Sequence, residues 1–299
     1  MEIKKLETSH FYELRDLLDG VFSRKYGRQT RFEKLFPRFF SEPNEYVTSS
    51  HLGAFEDGRL IGTAAMYPLD YVVGDVHVRL IGNGNVAVHE DFRGKGVMTA
   101  ILHQINDACD VTGDLGYLHG DPVRYGRVGY VGGGREFLLV FRPGKKTEYT
   151  FRPACTEDAP ILLALSHSRC DYIVRTEKDI IPALRSGCRE AFSVCRKNGE
   201  LIGYISLKVA EGEMPHVEEF AFAEECQREV FLSLAATLGQ AVRVRLSGYD
   251  VNTLKKCESD ASVTVSEPAL FRIINADPLE RAALSLGLEK NVLYAPYLT

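Results

Sequence analysis

The sequence predicts a mixed α/β protein of the α+β type, with two domains that each hold a twisted, mostly antiparallel sheet flanked by helices. The order hairpin, strand, helix, strand occurs twice, and the hexapeptides DGRLIG and NGELIG stand at the turns of the two hairpins. Gly58 and Gly199 are 141 residues apart, as are Gly62 and Gly203. One such match is also a common hairpin signature, but the repeated order of elements favours a duplication.

The first copy follows from local signals. Asp57-Gly58 readily takes the positive φ angles of a tight hairpin turn, and apolar residues at helical spacing from Val97 to Cys109 predict an amphipathic helix that stops at Gly113. The expected elements are a helix from residue 8 to about 21, a shorter helix in 31–40, a hairpin over 51–67, a strand over 78–88, a helix over 97–112 and a strand over 115–119.

The second copy repeats this order. The expected elements are a hairpin from residue 191 with its turn at Asn198-Gly199, a strand over 216–222, a helix over 226–239 and a strand over 242–246. Between the copies, residues 142–149 (RPGKKTEY) form a Pro-Gly and charge cluster typical of a linker. We therefore expect a first domain over residues 1–145 and a second over 146–299.

Composition excludes several classes of protein. The 36 basic and 41 acidic residues give a net charge of −5, which provides no global basic field for binding nucleic acid and weakly favours a cationic small substrate. The seven cysteines include no CxxC pair, so we expect reduced thiols in a cytoplasmic protein. Neither a secretion signal nor an apolar run of roughly 18 residues is present, so no membrane partner is expected.

The loop between the strand over 78–88 and the helix over 97–112 has the composition of an anion site. The first N–H groups of a helix lack intrahelical partners, and the helix dipole adds partial positive charge there. Gly94 and Gly96 let the backbone approach a ligand, and Arg93 and Lys95 add charge on either side. A pyrophosphate would fit this loop, although a solvated loop that only caps a helix is the more common meaning of an isolated RGKG.

Three nucleotide motifs compete for the loop. A P-loop requires Ser or Thr after a Gly-Lys pair, but Gly96 follows Lys95; a Rossmann fingerprint requires a third glycine where Thr99 stands. The segment VAVHEDFRGKGVMTAIL instead resembles the motif of the GNAT superfamily of N-acetyltransferases, an apolar strand leading into Arg/Gln-x-x-Gly-x-Gly/Ala. Glu90 departs from the basic or amide residue at the first motif position, which leaves the electrostatic support to Arg93 and Lys95.

Two further segments support the resemblance. Residues 81–88 (IGNGNVAV) place Gly82 and Gly84 in a strand, where they indicate a bulge or a close approach; in the family this strand splays from its neighbour and binds the pantetheine arm. Residues 119–130 (HGDPVRYGRVGY) resemble the family segment Tyr-x-Arg-x-Gly-Phe/Tyr. The YGRxGY form and the duplication are most similar to Eis-type acetyltransferases, which modify amines, although the chain has no room for their complete sterol-carrier-like domain.

The resemblance implies an acetyl-CoA site and an acetyl transfer without metal. The residues expected to bind acetyl-CoA are Val86, Ala87, Val88, Arg93, Gly94, Lys95, Gly96, Val97 and Met98; the strand N–H groups of the first three would polarise the thioester carbonyl. Tyr125 matches the family's acid for the departing thiolate, whereas tyrosine alone is more often a core residue.

The general base is the open question. Asn83 and Asn85 stand where some family members have a glutamate; they can orient substrate or water but cannot take a proton at neutral pH. His119 and Asp121 are the nearest titratable candidates by sequence, and His119 is equally compatible with a structural role. In Eis-type enzymes the C-terminal carboxylate acts at the active site; whether that of Thr299 does so here is left open by the sequence.

The second copy has no equivalent loop. Glu224 and Glu225 precede its helix and would repel a pyrophosphate, so this half is expected not to bind a nucleotide. We therefore expect an acetyl-CoA-dependent N-acetyltransferase that acts on a primary amine of a small molecule or peptide in a ternary complex. The alternative is a non-catalytic acyl-CoA-binding sensor. A homo-oligomer is compatible with either.

Overall fold

The computed structural model describes residues 1–144, 148–210, 212–223, 225–248, 250–267 and 269–286. Lys145–Thr147 of the expected linker, Glu224 and Thr299 lie outside the described residues. The described strands are β1 (Glu2–Lys5), β2 (His51–Glu56), β3 (Arg59–Val73), β4 (Val76–Val88), β5 (Leu115–Leu118), β6 (Val131–Gly133), β7 (Glu136–Phe141), β8 (Tyr149–Pro153), β9 (Asp171–Ile173), β10 (Arg189–Arg196), β11 (Leu201–Lys208), β12 (His216–Phe222), β13 (Val242–Ser247), β14 (Ala261–Ser266) and β15 (Ala269–Ile273). The described α-helices are α1 (Phe11–Tyr26), α2 (Phe32–Leu35), α3 (Pro37–Phe40), α4 (Glu45–Ser49), α5 (Val97–Thr112), α6 (Pro122–Gly126), α7 (Ala159–His167), α8 (Glu177–Leu184), α9 (Gln227–Leu238), α10 (Val251–Cys257) and α11 (Ala276–Ser285).

Most elements follow the local sequence signals. Asp57 and Gly58 have φ angles of 52° and 77°, as a tight turn between β2 and β3 requires. Helix α5 ends at Gly113, as expected. The single short helix expected over residues 31–40 is instead two separate turns, α2 and α3. Phe36 between them has φ −134° and ψ 62°, because the residue before a proline disfavours the helical region, and Pro37 then begins a new turn.

The first sheet has the order β1-β2-β3-β4-β5-β15-β6. Its pairs β1–β2, β2–β3 and β5–β15 are antiparallel, and β4–β5 is parallel. One buried cluster joins Ile101, Leu102 and Ile105 of α5 to the sheet, and a second joins Leu14 and Leu18 of α1 to it. The mixed α/β class and the mostly antiparallel sheet are therefore confirmed.

The second sheet has the order β14-β7-β13-β12-β11-β10-β8, with β12 and β13 parallel. Helix α9 packs on it through a buried cluster that includes Val230, Phe231 and Leu234. Another cluster joins Leu162 of α7 and Ile180 of α8 to strand residues. This sheet is also covered by helices, as expected for a second copy of the same design.

Equivalent backbone contacts support the duplication. The amide of His89 donates to the carbonyl of Ile61 at 2.8 Å, and the amide of Ala223 donates to that of Ile202 at 2.7 Å. Ile61 and Ile202 precede the matched glycines, Gly62 and Gly203. A Cβ on Gly62 would lie 3.3 Å from the carbonyl oxygen of Ala87, and one on Gly203 would lie 2.5 Å from that of Ala221. The two hairpins therefore meet their third strands in the same way.

The chain forms two compact units, and each unit is built from three separate segments of the sequence. The first comprises residues 1–71, 77–132 and 269–281, and the second comprises the described residues of 72–76, 133–267 and 282–286. Segment 269–281 lies with the first unit because β15 pairs with β5, and Arg272 holds Asp110 of α5 by two hydrogen bonds of 2.5 and 2.8 Å. Strand β7 lies with the second unit because it pairs with β13 and β14. From the sequence we expected a single boundary, after residue 145.

None of the helices in the described ranges combines the length and the apolar character that crossing a bilayer requires.

Candidate active site

The first unit has an open strand edge beside α5. In the described part of the chain, the parallel register between β4 and β5 joins Leu80–Gly82 to Leu115–Tyr117 and extends no further. Strand β4 continues to Val88, whereas β5 ends at Leu118. Backbone groups of β4 beyond Gly82 that point toward β5 are thus available to a ligand.

Strand alternation identifies which of these groups face the opening. His89 donates its amide hydrogen to Ile61 of β3, and the carbonyl of Ala87 also points toward β3. Residues 86 and 88 therefore face the other way, since alternate residues of a strand bond on opposite sides. The carbonyl of Val88 accordingly accepts from Nε of Arg93 at 3.4 Å. Of the three expected N–H donors, Val86 and Val88 face the open side, and Ala87 faces its own sheet.

The two asparagines of β4 differ in environment, and we interpret the irregular backbone at Asn85 as a bulge in the strand. Asn85 has φ +53°, an uncommon left-handed conformation for a residue other than glycine. Asn83 is 7% exposed and donates to the hydroxyl of Tyr130. Asn85 donates instead to the hydroxyl of Tyr67 at 2.9 Å. The sequence placed both amides in the substrate site, but only Asn85 is partly exposed, because the bulge breaks the strand alternation that would give both the same face.

The glycine loop leads from this edge into α5. Gly94 and Gly96 have φ angles of +75° and +79°, and a Cβ on either would meet nothing within 4 Å. Gly96 is the N-cap, and its carbonyl accepts the first helical bond from Ala100. The N–H groups of Val97 and Met98 thus have no intrahelical partner, and no acidic residue lies in the first turn. The positive end of the helix dipole therefore faces open space.

The charges around the loop include one ion pair, between Glu90 and Arg24, that the sequence did not predict. Lys95 and Arg93 are exposed, and Nζ of Lys95 lies 4.7 Å from the ring centroid of Phe92. Glu90, the acidic departure from the motif, pairs with Arg24 of α1 at 3.0 Å. This long-range pair offsets the negative charge of Glu90 near the loop, and no local sequence signal indicates it.

The segment after β5 presents Tyr125. Its side chain is 7% exposed, and a Cβ on Gly120 would lie 2.1 Å from its ring, so glycine permits this packing. Burial raises the pKa of Tyr125 above its ordinary value, which keeps the phenol protonated at neutral pH. Its hydroxyl makes no hydrogen bond with the described residues and is not among the buried polar atoms without partners. The hydroxyl is thus accessible, which suits a proton donor.

The two base candidates have different surroundings. Asp121 caps α6, because its Oδ1 accepts from the amides of Val123 and Arg124 at 2.8 and 3.1 Å. His119 is exposed, and its Nε2 lies 2.6 Å from the hydroxyl of Tyr117. Asp121 therefore has a structural role that accounts for its position, and His119 is an exposed imidazole beside Tyr117.

A polar cluster that sequence reasoning missed adjoins Asn85. Nε2 of His51, at the start of β2, lies 3.1 Å from Nδ2 of Asn85, and Nδ1 of His51 lies 2.7 Å from the carbonyl oxygen of Val47. Complete burial lowers the pKa of His51 to about 4, so the ring is neutral near pH 7. The rings of Tyr46 and Tyr67 lie 6.4 Å apart beside it. The partners are 18 or more residues from Asn85, which explains why no motif announces them.

The described part of the second unit has no counterpart of the glycine loop. The sequence has no glycine between Gly212 and Gly239, so the start of α9 has no counterpart to Gly94 and Gly96. Glu225 precedes α9 and pairs with Lys256. Glu224 lies outside the described residues. A helix start without glycines and with an acidic residue beside it is a poor site for a pyrophosphate.

Comparisons with known proteins agree with this geometry. Residues 2–131 match the family model of the acetyltransferase (GNAT) domain. No curated protein has significant sequence similarity to the chain.

Three solved structures resemble the chain over nearly its whole length. A conserved protein of unknown function from Enterococcus faecalis, described as a probable N-acyltransferase, is 20% identical with a TM-score of 0.67, over 93% of this chain and 74% of that one. A GCN5-related N-acetyltransferase from Kribbella flavida is also 20% identical with a TM-score of 0.67, over 94% and 74% of the two chains. The Eis1 protein of Mycobacterium abscessus is 16% identical with a TM-score of 0.60, over 94% and 76%. At these identities the likeness shows the fold.

Proposed function

We propose that this chain, whose residues 2–131 match the model of the acetyltransferase (GNAT) domain, transfers the acetyl group of acetyl-CoA to a primary amine of a small molecule or peptide. The observation that carries the proposal is the continuity of the open edge of β4 with the glycine loop at the start of α5. A thioester at the edge and a pyrophosphate at the loop would lie on one continuous surface of the first unit.

The loop suits a pyrophosphate because the N–H groups at the start of α5, which lack intrahelical partners, lie next to open space. The N–H groups of Val97 and Met98 would receive the anion, and the absence of side chains on Gly94 and Gly96 leaves room for it. Arg93 and Lys95 would add charge from the exposed side. When bound, acetyl-CoA supplies the activated acetyl group; the chain positions and polarises it.

The reaction needs one polarised carbonyl and two proton transfers. Transfer forms a C–N bond and breaks a C–S bond, and it removes a proton from the amine and supplies one to the sulfur. The outward N–H groups of Val86 and Val88 would stabilise charge on the carbonyl oxygen. Tyr125, protonated and accessible, would supply the proton to the sulfur.

The amine would be oriented by Asn85 and deprotonated by His119. Asn85 lies on the bulge, immediately before Val86, and a carboxamide can accept an N–H but cannot remove its proton. His119 is the exposed imidazole of the motif segment, and Asp121 would act indirectly by capping the helix that carries Tyr125. Direct attack within a ternary complex needs no covalent enzyme intermediate.

The deciding experiment measures CoA release with a panel of primary amines, including cationic ones that suit the net charge of −5. Release that depends on the amine, with an acetylated product of the expected mass, supports the proposal. A cytoplasmic location, consistent with seven cysteines none of which forms a disulfide with a described residue, and a homo-oligomeric state are part of the proposal and are tested by fractionation and by light scattering.

One observation favours a second function. Strand β4 of the first unit has Asn85 and no carboxylate that could act as a general base. This is what we would expect of a sensor that binds acyl-CoA without transferring the acyl group. Such a sensor would bind acetyl-CoA in calorimetry but release no CoA with any amine in the panel. The accessible hydroxyl of Tyr125 favours the enzyme.

A further inference from the structure

The His51 hydrogen bonds fix which way the Asn85 amide points. The carbonyl of Val47 can only accept, so Nδ1 of His51 must carry the proton in their 2.7 Å bond. In a neutral ring Nε2 is then a bare acceptor, and only the NH₂ group of Asn85 can face it at 3.1 Å. The second hydrogen of that group reaches the hydroxyl of Tyr67 at 2.9 Å. Both hydrogens of the Asn85 amide therefore form hydrogen bonds within the protein.

The amide oxygen is left for a ligand. Oδ1 of Asn85 has no hydrogen bond with any described residue, and it is not among the buried polar atoms without partners. Asn85 immediately precedes Val86 on the segment of β4 that we propose binds the thioester. Because the amide oxygen of Asn85 is accessible and the NH₂ group is already hydrogen-bonded, Asn85 would bind a ligand group that donates an N–H.

We infer that His51 is a positioning residue whose Nδ1-protonated, neutral ring locks Asn85 with its oxygen turned toward the acceptor amine. The inference rests on the proposed function and deepens it, since it names the group that holds the nucleophile. The amine donates one N–H to Oδ1 of Asn85 and keeps its lone pair free for attack. Tyr67 supports the same orientation as a second acceptor for the NH₂ group.

The surroundings of His51 suit a fixed protonation state. Burial lowers the pKa of His51, and the hydrogen bond to the carbonyl of Val47 opposes this with a smaller effect. The titratable groups beside the cluster are Tyr67 and, behind it, Tyr46, and burial raises the pKa of each. Both phenols are therefore neutral across the pH range in which the amide must keep its orientation.

Kinetics of matched variants test the functional part. His51→Phe removes the acceptor at similar volume, so KM for the amine should rise about tenfold or more while the affinity for acetyl-CoA stays unchanged. His51→Gln, whose side-chain oxygen can take the place of Nε2, should recover most of the loss. Tyr67→Phe should cost less, since His51 still fixes the amide. An unchanged KM in His51→Phe, or equal losses in the Phe and Gln variants, would overturn the inference.

Nitrogen NMR of the imidazole tests the orientation without relying on catalysis or on a folded His51 variant. In the wild-type protein between pH 5.5 and 8, roughly a pH unit or more above the folded pKa of about 4, Nδ1 of His51 should be protonated and Nε2 bare. In Asn85→Asp the carboxylate can only accept, so Nε2 should become protonated and the pKa of His51 should rise. A protonated Nε2 in the wild type would overturn the inference. If no amine supports CoA release but the tautomer is as expected, the proposed function fails and the orientation of Asn85 stands.

Discussion

Gly96→Asp places a negative charge at the site proposed for pyrophosphate, and Gly96→Asn places an uncharged side chain of the same size there. A Cβ at residue 96 would meet nothing within 4 Å, so neither side chain has to displace the protein. Both variants share the strain of φ +79°, about 1 kcal/mol for residues that tolerate the left-handed region best. The difference between them therefore isolates the charge.

The size of that difference follows from the exposure of the loop. Two like charges about 5 Å apart repel by about 3 kcal/mol at an effective dielectric constant of 20, and by about 1 kcal/mol in water. Residues 93–96 are exposed, so a value between these limits, about 2 kcal/mol, is appropriate. Gly96→Asp should then bind acetyl-CoA about 30-fold more weakly than Gly96→Asn.

Isothermal titration calorimetry of the wild type and both variants at low and at moderate salt measures this difference. Screening should reduce the gap between the Asp and Asn variants as salt increases, because the loop lies in solvent. Thermal unfolding should show a similar loss of stability in the two variants, slightly smaller in Gly96→Asp because its charge lies at the positive end of the helix dipole. Equal acetyl-CoA affinities of Gly96→Asp and Gly96→Asn at low salt would refute the proposal that an anion binds at the start of α5.

Three further predictions concern the proton donor, the number of sites and the buried imidazole. Tyr125→Phe should lower turnover by roughly 10²–10⁴-fold at unchanged acetyl-CoA affinity and nearly unchanged stability, because the hydroxyl has no bond to the described residues; wild-type turnover would make Tyr125 a packing residue. Calorimetry should find one acetyl-CoA per chain, with binding in Gly96→Asp weakened as a single event; a second, unaffected site would show that the second unit also binds. The free energy of unfolding should fall by about 2 kcal/mol between pH 7 and 5 from His51 alone, since the unfolded chain takes up this proton near pH 6.5 and the folded chain only near pH 4. Denaturant titrations should show that His51→Gln removes this part of the fall; an equally steep pH dependence in the variant would contradict the lowered pKa.

Elements with local signals were predictable from the sequence. The turn at Asp57-Gly58 and the end of α5 at Gly113 each depend on a few neighbouring residues whose backbone preferences are strong. The break between α2 and α3 was missed, although Pro37 gave a local signal for it. Segment 133–144 belongs to the second unit and segment 269–281 to the first, contrary to the order of the sequence. Both assignments depend on strand pairing across more than 100 residues, which no local pattern encodes.

The site was predictable only in part for the same reason. The glycine loop has a local composition, and its two positive φ angles agree with the need for glycine. The opposite environments of Asn83 and Asn85 depend on a bulge, and a spacing of two residues in a strand indicates a shared face. His51 and Arg24 act through partners 34 and 66 residues away along the chain, so their roles emerge only from the fold.

Some glycines of the two copies are needed for packing, and others face open space where a ligand could bind. Gly62 and Gly203 both occur where a Cβ would collide, at 2.8 Å from Val97 in the first unit and at 2.2 Å from Phe222 in the second. Glycine is thus required at this position in both sheets, whether or not a ligand binds. Gly94 and Gly96 instead face open space, and the second copy has no glycine at the start of its helix. The loop glycines of the first unit therefore meet the positive φ angles of this turn and no packing requirement, and the open space above them is what makes them available to a ligand.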